Sequence, residues 1–318
     1  MGHRRGAGSA TDLVTETERH PSMHTSTRNT VNPRVTIVIP VLNEARNLEL
    51  VIPQLPPVHE IVVVDGRSSD DTVETARRLA PEATIITQSR RGKGNALCAG
   101  FEAATGDIVV MFDADCSADP AEIPAFVEAL KAGADFAKGS RNAPGGGSED
   151  ITVIRGLGNK GLNLLSNVLI RSRYTDLCYG YNAFWTDILP ALRLPEANAA
   201  TDEPVWGDGF EIETLLTCRV AAADLAVTEV PSIERQRVHG VSNLNAVSDG
   251  LRVLRTILVE KAMEKRTQAE PLPAAPSQAC VAERDQLDAD RRAARDHRGR
   301  ARRGDRRHAS ELEGTSTH

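Results

Sequence analysis

The chain has 318 residues, 40% of them hydrophobic and 26% charged, with a formal net charge of −6 at pH 7. That composition suits a folded, water-soluble protein with one large domain or two small ones. The negative balance argues against a generic nucleic-acid binder, which carries a basic face. No run approaches the roughly 18–20 apolar residues that a membrane span needs, and no apolar stretch follows Arg4 and Arg5 as a secretory signal would require. Cys98, Cys116, Cys178, Cys218 and Cys280 form no C-x-x-C pair, so reduced thiols in a cytoplasmic protein are expected, not a disulfide framework or structural zinc.

Residues 1–33 are polar, lack periodicity and read as a disordered arm. The β-branched run 35–39 predicts a strand buried on both faces. Asn43 is placed to cap a helix from Glu44 to about Leu55. Residues 61–64 predict a second strand, 71–79 a helix opened by Ser69 and Asp70, and 83–87 a third strand. A helix over 94–104 should stop at Gly106. Residues 107–112 predict a fourth strand, and Asp119-Pro120 opens a further helix with proline at its first position. This alternation predicts an α/β fold over 34–266: a doubly wound, mostly parallel central sheet with flanking helices. Two later apolar stretches, 162–170 and 251–263, read as core helices, with a membrane surface as the second option. A proline-rich linker at 271–276 lies within a disordered Arg/Asp/Ala-rich tail, 267–318, whose arginine pairs suit an acidic surface.

Doubly wound sheets bind ligands at the carboxyl ends of their strands. Pro40, Asn43 and Glu44 follow the first predicted strand, Asp65 the second, and Asp113 and Asp115 the fourth. Clustered carboxylates repel, and a hard divalent cation is their usual compensator. Mg2+ takes few protein carboxylates and completes its shell with substrate phosphates and water, so Mg2+ or Mn2+ on Asp113 and Asp115 points to a nucleoside diphosphate partner. The stretch RRGKG (90–94), with Lys93, is a basic, glycine-rich approach to a helix N-terminus and suits phosphate. Gly156 to Gly161 satisfies G-x-G-x-x-G but lies far from any first strand, so a dinucleotide dehydrogenase is not expected.

Together, VTIVIPVLNE (35–44), VDGRSSDDT (64–72), GKGN (92–95) and FDAD (112–115) resemble the family 2 glycosyltransferases, which have the GT-A fold. KGSR (138–141), Arg155, YTDLCYGYNAF (174–184), GFEIE (209–213), EVP (229–231) and RVHGVSN (237–243) look like the dolichol- and polyprenyl-phosphate mannosyl- and glucosyltransferase branch. The resemblance spans about 34–260. It implies a metal-dependent inverting transferase that moves a hexose from a nucleotide-diphosphate sugar to a polyprenyl or dolichyl phosphate or a similar acceptor; the apolar stretches and basic tail add peripheral contact at the cytoplasmic membrane face as an option. It also implies that Pro40, Asn43, Glu44 and Asp65 contact the nucleoside. Lys93, Asp113 and Arg237 join the nucleotide-sugar set, Asp113 and Asp115 hold the metal, and Arg141 and Arg155 bind the acceptor phosphate. Gly66 and Arg67 depart from the family's D-D-G-S element, which leaves the base open. Asn243 replaces a lysine, so a cation near the diphosphate is missing or supplied elsewhere.

Inverting transfer is in-line attack on the anomeric carbon, with the metal stabilising the leaving diphosphate. A hydroxyl acceptor would also need a general base. Asp208, Glu211 and Glu213 are the candidates. Were they on one helix, 208 and 211 would share a face and 213 would turn away, so Glu211 is favoured, then Asp208, beside Asp115. A lipid phosphate is already anionic and needs no strong base, and Glu211 would then orient groups. The alternatives are a hydroxyl acceptor (polysaccharide, glycolipid or small molecule) and a non-catalytic nucleotide-sugar binder.

Overall fold

The computed structural model describes residues 28–149, 153–198, 203–240 and 246–269. The arm up to residue 27 and the tail beyond 269 lie outside the described residues, as does Asn243. Contacts divide the chain into two units, Met1–Glu264 and Lys265–His318. All elements but the last residues of the final helix belong to the first.

The β-branched runs form the centre of the sheet. In chain order the first half comprises β1 (Val35–Val41), α1 (Ala45–Val51), β2 (Glu60–Asp65), α2 (Thr72–Leu79), β3 (Thr84–Thr87), α3 (Lys93–Ala103), β4 (Ile108–Met111) and α4 (Ile123–Lys131). The second half comprises β5 (Phe136–Ser140), β6 (Gly147–Ser148), α5 (Val153–Ile170), β7 (Asn182–Trp185), α6 (Leu189–Leu192), α7 (Ile212–Ala222), β8 (Val227–Pro231), β9 (Ile233–Glu234) and α8 (Ala246–Ala269). The main sheet runs β3-β2-β1-β4-β7-β5-β8. β1, β2, β3 and β4 are mutually parallel, and β5 pairs in parallel with β8. Only β7 is antiparallel to its neighbours, β4 and β5. Ile37, Val38, Ile39, Val62, Val63 and Val64 are fully buried, because helices cover both faces of a parallel sheet. The doubly wound, mostly parallel sheet with flanking helices is therefore as the alternating pattern predicts.

Local chemistry moved several boundaries. Asn43 does not cap α1: its φ is 57°, and its Oδ1 accepts from Ser69 N at 2.8 Å. Glu44 occupies the N-cap position without a side-chain cap bond. α1 gives way at Ile52 to a 3-10 turn containing Pro53, since proline has no N–H to continue the α-helical ladder. Asp119 does cap: its side chain accepts from Ala121 N at the turn that opens α4. The G-x-G-x-x-G stretch lies inside α5, with open space around all three glycines, so no strand-to-helix phosphate turn exists there.

Of the arm, residues 28–33 are described. Arg28 donates to both oxygens of Asp187 and to Asp135 Oδ1, each at 2.7 Å, and its guanidinium lies 5.3 Å over the Trp185 ring.

α3 packs directly on the sheet through Gly100, where a Cβ would collide with Val38 Cγ1 and stand 3.2 Å from Val64 Cγ2. Gly100→Val should therefore lower stability by about 1–3 kcal/mol through overpacking, read as a lower urea midpoint at unchanged slope.

Candidate active site

The end of β4 places the acids. Phe112 and Ala114 are buried in the core, whereas Asp113 and Asp115 are only partly covered. Each acid meets a cation. Lys93, in the first turn of α3, puts Nζ 2.7 Å from Asp113 Oδ2 and 2.6 Å from Glu213 Oε1. Arg237 puts Nη2 2.7 Å from Asp115 Oδ2 and Nη1 3.9 Å from Glu44 Oε1. Asn47 Nδ2 donates to Glu44 Oε2 at 2.5 Å and to the carbonyl of His239 at 3.2 Å, tying the loop after β1 to the segment carrying Arg237. Thus Glu44, Asp113, Asp115, Lys93 and Arg237, predicted from separate motifs, come together.

Electrostatics follow from that crowding. Burial pushes the Glu44 carboxyl up, and the charges of Asp115 and Asp113 add to the shift against Asn47 and Arg237. Burial likewise raises Glu213, against the pull of Lys93. For Lys93, burial disfavours the charged form, but Asp113 and Glu213 outweigh it and hold the ammonium above the ordinary lysine range. Among the described residues, no three His, Cys, Asp or Glu side chains form a ready-made metal cage. Two hard carboxylates on alternate residues still fit Mg2+ or Mn2+, if diphosphate oxygens and water complete the shell.

Asp65, at the end of β2, is buried and accepts from Arg67 N and Ser68 N, each at 3.1 Å. Ser68 Oγ accepts from Asn43 N at 2.9 Å, so the loops after β1 and β2 are joined at Asn43 and Ser68, while Pro40 lies within β1, paired with Val64, and not after the strand. Arg67 has φ 67° and donates Nη2 to the Ser89 carbonyl at 2.6 Å. A non-glycine side chain in this left-handed conformation is uncommon.

The acids at 208–213 are arranged differently from the expectation. Asp208 lies before the helix and is buried in a bidentate pair with Arg90, at 2.7 and 2.8 Å. It also accepts from Val205 N at 2.8 Å. Its carboxylate is committed to these partners. Glu211 holds the N-cap position of α7, and its Oε1 accepts from Gly207 N and Gly209 N at 3.1 Å each. Glu213 is the acid that reaches Lys93. The i,i+3 argument failed because Gly207, at φ 102°, keeps this stretch out of a helix until Ile212. The glycines flanking Asp208 were the available signal for a turn. Gly92 and Gly94 let the RRGKG loop press onto this turn, since a Cβ at either would strike the backbone of Gly207 or Asp208.

A second charged cluster lies after β5. Arg141 donates Nε and Nη2 to Asp176 at 2.7 and 3.0 Å and Nη1 to Glu234 at 3.0 Å, and it stacks 4.9 Å over the Tyr179 ring. Arg155 is placed in α5, and its side chain lies outside the description.

Two expectations follow. Asp208→Asn should cost about 3–5 kcal/mol in denaturant unfolding, because it strips a buried arginine of its counter-charge. Burial opposes ionisation of Asp176, but Arg141 wins and holds the carboxyl below the usual range. A lowered folded-state value means that the stabilisation is complete above the unfolded value of about 3.9 and is lost as pH falls through the folded one. The acid limb of stability versus pH should therefore be flatter in Asp176→Asn than in the wild type.

A family model described as Glycosyl transferase family 2 matches residues 36–191. The chain is 34% identical over 230 residues to polyprenol monophosphomannose synthase of Mycolicibacterium smegmatis, covering 68% of this chain and 83% of that protein. It is 32% identical over 219 residues to dolichol-phosphate mannosyltransferase of Pyrococcus furiosus, covering 66% of this chain and 59% of that one. Undecaprenyl-phosphate mannosyltransferase of Micrococcus luteus is 30% identical over 222 residues, with 67% and 88% covered. Among solved structures, glucosyl-3-phosphoglycerate synthase from Mycobacterium tuberculosis, in complex with Mn2+, UDP and glucosyl-3-phosphoglycerate, matches with a TM-score of 0.55 at 24% identity. The match covers 73% of this chain and 81% of that one, and it bears out the GT-A fold.

Proposed function

The chain belongs to the family 2 glycosyltransferases, and on that premise we propose that it transfers a hexose, with inversion, from a nucleotide-diphosphate sugar to a polyprenyl phosphate. The observation that carries the reading is the end of β4, where Asp113 and Asp115 each face one cation, Lys93 and Arg237. Both cations can exchange a carboxylate for a phosphate oxygen when a donor enters. Pro40 and Asp65, near the ends of β1 and β2, and Asn43 in the loop after β1 would contact the nucleoside. Mg2+ or Mn2+ on Asp113 and Asp115 would neutralise charge developing on the leaving diphosphate. Arg237 and Lys93 bind phosphate oxygens in the same region, and Glu213 keeps Lys93 directed at Asp113.

An acceptor phosphate is already ionised and asks for orientation and not for a strong base. Arg141 is positioned to supply that orientation with its planar fork, with Arg155 as the second arginine. Because Asp176 and Glu234 already engage Arg141, phosphate must share this guanidinium with them. The names of the three relatives support a lipid-phosphate acceptor. Exposed apolar side chains at Leu164 and Val168 of α5 and at Leu251 and Leu258 of α8 support a peripheral membrane contact. No helix among the described residues is long and apolar enough to cross a membrane. A second reading, with a hydroxyl acceptor, draws on Glu213, whose raised carboxyl is suited to take a proton.

The decisive experiment incubates the protein with a panel of nucleotide sugars and polyprenyl phosphate, with Mn2+, Mg2+ or chelator, and identifies products by mass spectrometry. A metal-dependent polyprenyl-phosphate hexose is expected. Sugar on a hydroxyl instead would favour the second reading, and nucleotide binding without turnover would leave a non-catalytic binder. Asp115→Ala should lower turnover at least ~100-fold. Arg141→Ala should abolish transfer to lipid phosphate while sparing donor binding, and full transfer in that variant would sink the phosphate-acceptor reading.

A further inference from the structure

A fully buried lysine stands between the two charged clusters. Lys138 lies on β5 with no exposed surface. Among the described residues no carboxylate reaches ion-pair distance of it, and its hydrogen bond goes to the Tyr179 carbonyl at 3.4 Å. Asn182 is its direct partner across the antiparallel β5–β7 pairing, where opposite residues share a face. Asn182 Nδ2 donates to the same carbonyl at 3.2 Å, and its Oδ1 is buried without a partner. A buried ammonium without a paired carboxylate is costly, and an apolar side chain would fill the space without that cost. Burial accordingly pushes Lys138 below the ordinary lysine range, against the pull of Asp176, Cys178, Glu229 and Glu213.

The clamped peptide touches both clusters. The Tyr179 ring lies under Arg141 at 4.9 Å, and its hydroxyl meets Ser232 Oγ at 3.0 Å. At Gly180, a Cβ would collide with Glu213 Oε1 and stand 3.5 Å from Asp113 Oδ2. One dipeptide therefore abuts the arginine after β5 and the Lys93–Glu213–Asp113 group.

Resting on the transferase reading above, we infer that Lys138 is a positioning residue: with Asn182 it holds the Tyr179 carbonyl, so that Tyr179–Gly180 fixes the acceptor side relative to the donor side. Its positive charge serves geometry between the substrates and not contact with either one. Small misplacements of reacting groups are known to cost large factors in rate.

The test is Lys138→Met, which keeps the length and apolar stem of the side chain. The full chain is assayed for melting temperature, for Mn2+-dependent nucleoside diphosphate binding, and for kcat and KM of hexose transfer. The expected result is an unchanged or higher melting temperature with kcat lowered about 10- to 100-fold. Nucleotide affinity and both KM values should stay within about threefold. A merely structural lysine would lower melting temperature and activity together, and that outcome overturns the proposal, as does wild-type kcat. Should Lys138→Met not fold, Asn182→Leu decides. Loss of kcat at unchanged melting temperature supports the positioning role, and wild-type kcat, or melting temperature and activity falling together, overturns it. Absence of lipid-phosphate transfer by the wild type counts against the proposed function. In that case the positioning role is read on kcat for the acceptor that is used, or on donor hydrolysis.

Discussion

Repulsion among carboxylates at the strand ends is the constraint around which this site is built. β1, β2 and β4 each deliver acids to the same edge of the sheet, as Glu44, Asp65, Asp113 and Asp115. A parallel sheet cannot spread them, because its register is set by the buried valines and isoleucines behind them. Compensation comes from outside the strands: backbone amides at Asp65, Lys93 from the start of α3, and Arg237 from the segment after β9. Asp113 and Asp115 each face a cationic side chain, and Asp115 Oδ1 also accepts from Ser117 N at 3.0 Å, whereas Asp65 is satisfied by the amides of its own loop. That difference separates acids that meet a cationic side chain from an acid that braces its own loop.

The same distinction orders the rest of the molecule. Arg90–Asp208 is buried, bidentate and joined to the backbone at Glu196 and Ala197. It fixes the turn on which Gly92 and Gly94 rest, and so it sets where Lys93 begins α3. Arg141–Asp176 also uses a bidentate pair, but close to β6 and β9, where Glu234 adds a second acid. β7, the antiparallel strand, follows directly from the Tyr179–Gly180 peptide and lies between β4 and β5. The chain thereby links two parallel blocks through a segment that touches residues of both.

Much of this was legible in the sequence. The β-branched runs announced β1 to β4, because continuous apolar strands have few other uses at that length, and the acids after them marked the edge where they assemble. What could not be read was rotation and partnership. Asp208, Glu211 and Glu213 are three acids within six residues, and only the folded turn at Gly207 decides which one reaches Lys93. Lys138 gave no signal, since a lysine inside KGSR looks like any exposed cation until β5 is seen to be buried. Asn43 misled for a related reason: a side chain suited to a helix cap is equally suited to bracing a neighbouring loop.

Arg28 carries a consequence for where this domain can be cut. Its partner Asp135 has only 4% of its side chain exposed, and the other Asp135 oxygen accepts from Ala226 N at 2.8 Å, just before β8. A fragment begun at residue 34, where the first strand suggests a start, would leave that carboxylate inside the protein facing no cation. The instability would appear at the β5–β8 edge of the sheet, remote from the truncation in sequence. The smallest self-sufficient version of this fold therefore begins upstream of its first strand, with an arginine that belongs to the far side of the sheet.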